Sequence, residues 1–479
     1  MAYRDLREFL NKLEEERELV RVKQEVDWNL EAGAVIRRAS ETESPAPLFE
    51  KIKGYPKGFR LAGAIVATHR RLAISLGLPS NASFPDMMDA FDRGITHPIK
   101  PRIVGTGPCK ENIITGDDVN LYVFPAPMLH DGDGGRYIST WHFVATKDPD
   151  TGWQNCGMYR QMVHNRNHLG GLTMPSQHMG AVLRKNEQRG IPTEFVTAIG
   201  TEPVAACVAA SAVPYGMDEL DVAGGIRKEP LEVVKCETVD LLVPATTEIV
   251  IEGHVVPHMR VDEGPFGEFT GYRASPRAPR WVYRVNCITY RNNPILTASC
   301  MGVPPSETSS ISALCKSWAV RNTLRAEGLP ITDVYVCGEA ACLLCIVSTK
   351  TPYPGIAHRI ASVVWATQGG SVSPKVMVVN DDIDIHNMNE VIHAFATKCH
   401  PVRGTHVVEH AAGFQLCPYQ NLEERTWGKG SNALYDCTWP IDWPPEIAVP
   451  PKASFRDIYP EDIQQKVLSN WTNYGFKNK

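Results

Sequence analysis

The sequence predicts a mixed α/β (α+β) protein built in several parts: an N-terminal α/β region, a β-rich centre and a C-terminal α/β domain. Three observations carry this. At 479 residues the chain is too long for one compact core and suits roughly three domains. From about 112 to 299, short β-type runs punctuated by Gly, Pro and Asn dominate, the texture of a barrel or sandwich. Beyond Gly328, strand-like and helical segments alternate, which indicates an α/β domain.

The first element is an amphipathic helix, with Leu6, Phe9, Leu10 and Leu13 at the spacing of one face. Val20 and Val22 then alternate with Arg21 and Lys23, as in a half-buried strand. A Pro- and Gly-rich stretch at 97–108 marks a boundary. In the β-rich centre, strands are expected around 241–243, 248–251, 282–285 and 295–297, interrupted by one helix over 177–189. A connecting helix over 312–327 ends at Gly328. Strands follow at 333–336 and 343–347, then a helix through Ile356, Ile360 and Val364. The continuously apolar run 376–379 suits a strand buried on both faces, followed by a helix bearing Val391, Ile392 and Phe395. A last helix starts near Pro460, stops at Gly475 and carries a stripe of Ile463, Val467 and Trp471.

Composition narrows the function. Apolar residues make up 43% and charged residues 22%, which argues for a folded chain. The net charge of -5, without any basic run, excludes a nucleic-acid partner. The amino terminus is charged from its fourth residue, and no apolar stretch reaches the roughly 18 residues of a membrane span. A cytoplasmic protein is expected, without a membrane association. Its thirteen scattered cysteines read as buried thiols rather than disulfides.

Several motifs invite a chemical reading. Cys337, Cys342 and Cys345 match an iron–sulfur spacing, but they lie in an apolar strand-like run where core thiols are expected. The segment 131–135, Asp-Gly-Asp-Gly-Gly, resembles a calcium loop but lacks the third ligand and the closing Glu, so a glycine-rich turn suffices. Asp381, Asp382 and Asp384 follow a strand and read as solvated or capping acids. His164, His168 and His178 form a cluster that could bind zinc if the first two shared a helix, and a zinc hydrolase is one reading. The most informative constellation is Glu263-Gly-Pro-Phe-Gly-Glu268. Its tight turn can bring two carboxylates to one cavity wall, where like charges separate an acid from a base. An exposed turn with two solvated acids is the competing reading.

Four ordered segments then converge on a family. They are Gln154-Asn155-Cys156-Gly157-Met158-Tyr159-Arg160, Pro175-Ser176-Gln177-His178, Glu219 before Val222-Ala223-Gly224-Gly225, and the 263–268 motif. Together they resemble the UbiD-type decarboxylases, which use prenylated FMN. The opening looks like the hydroxyarylic acid branch, and the segments 107–112 and 460–476 look like the ferulic acid branch.

The resemblance implies an N-terminal α/β region over 1–108, a split β-barrel for prenylated FMN over 109–311, a linker helix over 312–327, a C-terminal α/β dimerisation domain over 328–455 and a terminal helix over 456–479 that packs on a partner subunit. It implies that Asn155, His178 and Glu219 hold a divalent ion, usually Mn2+, tied to the flavin phosphate. A K+ ion would sit beside it on carbonyls near Ala210 and Ser211. Gln177 and the backbone of Cys156, Gly157, Met158 and Tyr159 would line the cofactor. Arg160 would clamp the substrate carboxylate, Glu263 would hold Arg160, and Glu268 would deliver the proton that replaces CO2.

The implied activity is a reversible, non-oxidative decarboxylation of an aromatic, heteroaromatic or α,β-unsaturated acid, with a flavin prenyltransferase supplying the cofactor and a homodimer or larger homo-oligomer as the assembly. A non-catalytic flavin-binding subunit is the alternative on the same scaffold. Leu172, Met174, Phe269, Thr308, Ser312, Phe414 and Leu416 would form a mostly apolar substrate pocket. Two positions depart from the family: Gln368 replaces a lysine near the flavin phosphate, and Ser371 replaces a pocket tyrosine. Ser312 also stands where a bulkier aliphatic occurs, so a larger or fused ring is expected to be the better substrate.

Overall fold

The computed structural model describes residues 2–211, 213–273 and 275–476. The opening helix is Leu6–Glu15, and all four stripe residues are buried in it. Asp5 caps it by accepting from the Glu8 amide at 2.9 Å. A four-stranded sheet follows, in the order Leu19–Val22, Ala46–Phe49, Arg60–Gly63 and Ile295–Ala298. The phase of its first strand differs from expectation: Leu19 is buried, whereas Val20 is 48% exposed. Leu19–Val22 is an edge strand whose covered side is set by the opening helix packing on it. The fourth strand arrives from some 230 positions downstream and runs parallel to Arg60–Gly63, tying the β-rich centre to the N-terminal sheet.

The centre is a nine-stranded sheet. Its neighbours run Tyr137–Ser139, Gln161–Asn165, His168–Gly171, Ala278–Tyr290, Ile249–Glu263, Thr193–Ile199, His142–Lys147 and Gln154–Gly157, with Asn112–Thr115 added beside Ala278–Tyr290. The path of paired strands is open between its first and last members. The two long strands, Ile249–Glu263 and Ala278–Tyr290, slip register twice, which bends the sheet and carries Glu263 to its end. The expected helix is His178–Gln188. Two further helices, Pro203–Ala209 and Glu219–Arg227, correct the expectation of a single one. Both are too short to show a clear period, and the second contains a Gly-Gly pair; their starts are nonetheless set by side-chain caps from Glu202 and Asp218.

The connecting helix is Glu307–Ala326, five residues longer at its start than expected, because Ser306 and Ser309 form a capping box there. It ends before Gly328, whose φ of +68° suits glycine. The helix packs on Phe84–Thr96 from the N-terminal region and on Ile331–Val336 of the C-terminal sheet, and so bridges the two. That sheet runs Ile331–Val336, Leu344–Thr349, Lys375–Asn380, Lys429–Cys437 and Thr405–Ala412, with the middle three strands parallel and both edges antiparallel. Residues 376–379 lie buried at its centre, as their apolar run predicts.

Two helical stripes are corrected. In Met388–Lys398 only Val391 of the expected set is buried, while Ile392 is 61% exposed. The last helix is Glu461–Ser469, so Trp471 lies beyond it, and Ile463 and Trp471 are exposed on the single chain. Residues 477–479 of the expected terminal helix lie outside the described residues. Among the described residues no helix is long and apolar enough to cross a membrane.

Candidate active site

Glu263 ends the strand Ile249–Glu263, and the turn after it folds back so that Glu268 faces the same guanidinium. Arg160, in the link between Gln154–Gly157 and Gln161–Asn165, donates from Nε to Glu263 Oε1 at 3.0 Å and from Nη2 to Glu263 Oε2 at 3.3 Å. Its Nη1 donates to Glu268 Oε1. All three side chains are buried. The competing reading of an exposed turn with two solvated acids is thereby overturned. The Phe266 ring lies 4.9 Å beneath the guanidinium and fixes its plane.

Two supports of this network escaped the sequence reading. Tyr137 donates its hydroxyl to Glu263 Oε1 at 2.7 Å, and its ring packs 4.3 Å from Phe266. Burial, together with the Glu263 charge, pushes the phenol far above its ordinary range, so it remains a donor. The second support is the supposed glycine-rich turn. Asp133 is buried and accepts from the Gly267 amide at 3.0 Å through Oδ1. Through Oδ2 it pairs with His130 Nδ1 at 2.9 Å, while His130 Nε2 donates to the Met301 carbonyl at 2.7 Å. Burial disfavours the charged imidazole, but the Asp133 and Cys300 partners outweigh it and push His130 up to about 10. The Gly134 amide donates to Pro265, and a Cβ at Gly134 would fall 2.1 Å from the Gly264 oxygen. The segment 131–135 therefore cradles the 263–268 turn rather than binding calcium.

A second centre adjoins the first through the backbone of 156–159. Asn155, His178, Gln177, Glu219, Ala210, Ser211, Ser312, Lys316 and Gln368 line one cavity together with Cys156, Gly157, Met158 and Tyr159. His178 and Glu219 are each the first residue of a helix, so two positive helix ends point at this space. Glu219 accepts from Asn155 Nδ2 at 2.7 Å and from the Cys156 amide at 2.8 Å. No Lys or Arg among the described residues pairs with it, and burial pushes it up to about 8. The Asn155 Oδ1 lies on the other side, 3.4 Å from Tyr159 Oη. The His178 ring is held edge-on by Trp153 and Tyr215, and burial lowers its pKa, which leaves a neutral imidazole without a hydrogen-bond partner among the described residues. Asn155, His178 and Glu219 thus line one cavity, with the Nδ2 of Asn155, and not its Oδ1, turned toward Glu219.

Other candidates are not brought together. His164 and His168 sit on facing strands of a hairpin rather than on a helix, and His168 Nδ1 lies 3.1 Å from Asn165 Oδ1 and 2.9 Å from Asn167 Oδ1. Among the described residues no group of three His, Cys, Asp or Glu is placed to hold a metal, so the helical His164–His168 arrangement that a zinc site required is not formed. Cys337, Cys342 and Cys345 are buried free thiols. Asp382 pairs with Lys398 and Lys452, and Asp384 accepts from the His386 amide. Of the pocket residues, Phe269 meets Phe414 across 6.2 Å, joining the central and C-terminal parts. Thr308 donates to Met301 Sδ at 3.2 Å, and Leu172, Met174 and Leu416 are half-buried. Ser371 is exposed and donates to the Gln368 carbonyl, so its hydroxyl is folded onto its own loop.

This fold and site have known counterparts. Residues 10–91, 102–304 and 310–437 match the N-terminal, Rift-related and C-terminal domains of 3-octaprenyl-4-hydroxybenzoate carboxy-lyases. The chain is 34% identical to pyrrole-2-carboxylic acid decarboxylase of Pseudomonas aeruginosa, over 98% of both chains. It is 31% identical to ferulic acid decarboxylase 1 of Saccharomyces cerevisiae, over 99% of this chain and 98% of the other. Its structure matches the closed form of vanillic acid decarboxylase from Sedimentibacter hydroxybenzoicus with a TM-score of 0.87 and 31% identity over the whole of both chains. It matches the UbiD-class enzyme HmfF from Pelotomaculum thermopropionicum, in complex with prFMN, with a TM-score of 0.79 and 30% identity over 92% of this chain and 96% of that one. By class, then, the protein is an enzyme, a carboxy-lyase. It belongs to the UbiD family.

Proposed function

We propose that the protein is a reversible, non-oxidative decarboxylase of an aromatic, heteroaromatic or α,β-unsaturated acid. It works with prenylated FMN, Mn2+ held by Asn155, His178 and Glu219, and K+ near Ala210 and Ser211. The observation that carries this is the buried Glu263–Arg160–Glu268 network beside a cavity lined by Asn155, His178 and Glu219. The cavity fits the cofactor. Two helix N-termini and a cation-seeking donor set suit a metal-bound phosphate, and the carbonyl end of Pro203–Ala209 suits a monovalent ion.

Loss of CO2 from an sp2 carbon leaves electrons orthogonal to the π system, and bound prenylated FMN supplies the sink that side chains lack. The chain's own residues do the rest. Glu263 and Glu268 occupy one hydrogen on each of Nε, Nη1 and Nη2 of Arg160, leaving one N–H on each terminal nitrogen for a substrate carboxylate. Glu263, held by Tyr137, keeps that fork in a single orientation. Glu268 exchanges its contact with Arg160 for the substrate, and its carboxyl proton goes to the carbon that CO2 leaves. Phe269 and Phe414 close an apolar slot over a planar ring and exclude water.

The small side chain of Ser312, half-buried on the wall of the cofactor cavity, supports a preferred acid with a fused or substituted ring. A flavin prenyltransferase supplies the cofactor, the enzyme works in the cytoplasm, and the assembly is a homodimer or larger. The test is co-expression with a flavin prenyltransferase, followed by metal analysis, an absorbance scan and CO2 release on a panel of cinnamate, a hydroxybenzoate and a fused-ring acid. Mn2+, a flavin spectrum and turnover are expected. Bound flavin without turnover on any acid would make the protein a binding module instead. Glu268→Gln is expected to abolish turnover and acid-dependent proton exchange with flavin content unchanged; wild-type rates in this variant would remove Glu268 as the proton donor.

A further inference from the structure

We infer that Lys316 is a phosphate-binding residue of the flavin cavity, a role that rests on the flavin reading above and adds a residue to it. Three observations place it there. Among the described residues lining the cavity, Lys316 is the one Lys or Arg. It lies on the bridging helix Glu307–Ala326 one turn beyond Ser312, and with Cys315 these residues present a single face to the space walled by Asn155, His178 and Glu219. Its side chain is half-buried, no carboxylate among the described residues lies at ion-pair distance, and its ammonium sits 5.9 Å from the Phe269 ring.

A lysine that leaves bulk water without a counter-charge loses solvation, and the loss is recovered when an oxyanion enters the same space. The adjoining segment offers no competing charge, because Gln368 contributes only an amide. The four-carbon stem lets Lys316 reach across the cavity as a point charge. An anionic substituent on the substrate ring is the other oxyanion that could meet it, and the test separates the two.

Full-length protein expressed without a prenyltransferase is titrated with FMN and, separately, with riboflavin in the presence of Mn2+, following flavin fluorescence. Riboflavin lacks only the phosphate. Lys316→Gln is expected to weaken FMN about 10- to 100-fold and to leave riboflavin unchanged, while Lys316→Arg retains most of the FMN affinity. At fixed K+, FMN affinity of the wild type is expected to fall with tetramethylammonium chloride more steeply than that of Lys316→Gln. Equal losses for FMN and riboflavin, or no loss for either, overturn the assignment. A wild-type chain that binds neither flavin overturns the flavin reading and the Lys316 role with it. Melting curves of the variants, matching wild type, exclude misfolding as the source of a loss.

Discussion

Arg160 gains its fixed direction from three contacts supplied by residues far apart in the chain: Glu263 and Glu268 more than 100 positions downstream, and the Phe266 ring. Tyr137 extends that chain by one link. Its hydroxyl bond to a buried carboxylate is worth about 1.5–3 kcal/mol by analogy with hydrogen bonds to charged groups. Tyr137→Phe is therefore expected to lower kcat/KM about 10- to 100-fold while leaving flavin content and the fold intact. The change should fall mainly on kcat, because Glu263 would still bind Arg160 but allow it more than one orientation. A rise in KM alone would mean that Tyr137 shapes the pocket and not the network.

At the scale of elements, the 131–135 segment is the splint of the catalytic turn. Asp133 grips the Gly267 amide while His130 anchors it to the Met301 carbonyl. Asp133→Asn keeps the size but weakens the pairing with His130, and is expected to cost about 1–3 kcal/mol of stability and a larger share of activity, since Glu268 rides on the same turn. The pH dependence has a definite sign. His130 is raised from its ordinary value near 6.5 to about 10 in the folded protein. Its contribution is thus full below about pH 6.5 and is lost as pH rises through about 10. Chemical unfolding of wild type and His130→Gln from pH 6 to 10 should show a gap that narrows toward the alkaline end; a gap that widens would contradict the pairing.

The molecule as a whole leaves apolar surface on its C-terminal part. The edge strand Thr405–Ala412 presents Val407 at 63% and Val408 at 45% exposure, and the tail adds Leu468 and Phe476. An unpaired edge of this kind is a template for association. Sedimentation is expected to give at least twice the 53.0 kDa of one chain, and Val407→Lys to shift it toward the monomer; a monomeric wild type would set the homodimer aside. The legibility of the chain followed the same scale. Local periodicities located Leu6–Glu15, His178–Gln188 and Lys375–Asn380, because each signal lies within one turn or one pleat. The Glu-Arg-Glu set and the Asn155, His178 and Glu219 trio were readable because motif order carries them. Tyr137 and Asp133 were not, since their partners lie 126 and 134 positions away and no local pattern marks such a meeting. The exposed phases of Val20 and Ile392 were missed for a related reason: which side of an element is covered depends on what packs there.

The ion count of the Glu263–Arg160–Glu268 cluster has a thermodynamic consequence. Two carboxylates against one guanidinium leave the buried cluster one negative charge in excess, which the nearby Arg280 meets only through space and without an ion pair among the described residues. An incoming acid arrives as a second anion, and a dry site does not hold two uncompensated charges. Association is therefore expected to draw a proton from solvent, so that the site is loaded with the hydrogen it later transfers before any bond to carbon breaks. Calorimetric titration of a non-reacting aromatic acid into the holoenzyme, repeated in buffers of different ionisation enthalpy, measures this directly. About one proton absorbed per acid bound is the expected stoichiometry, and affinity should weaken as the solution becomes more alkaline. Buffer-independent heats would show that the excess charge is neutralised elsewhere in the complex.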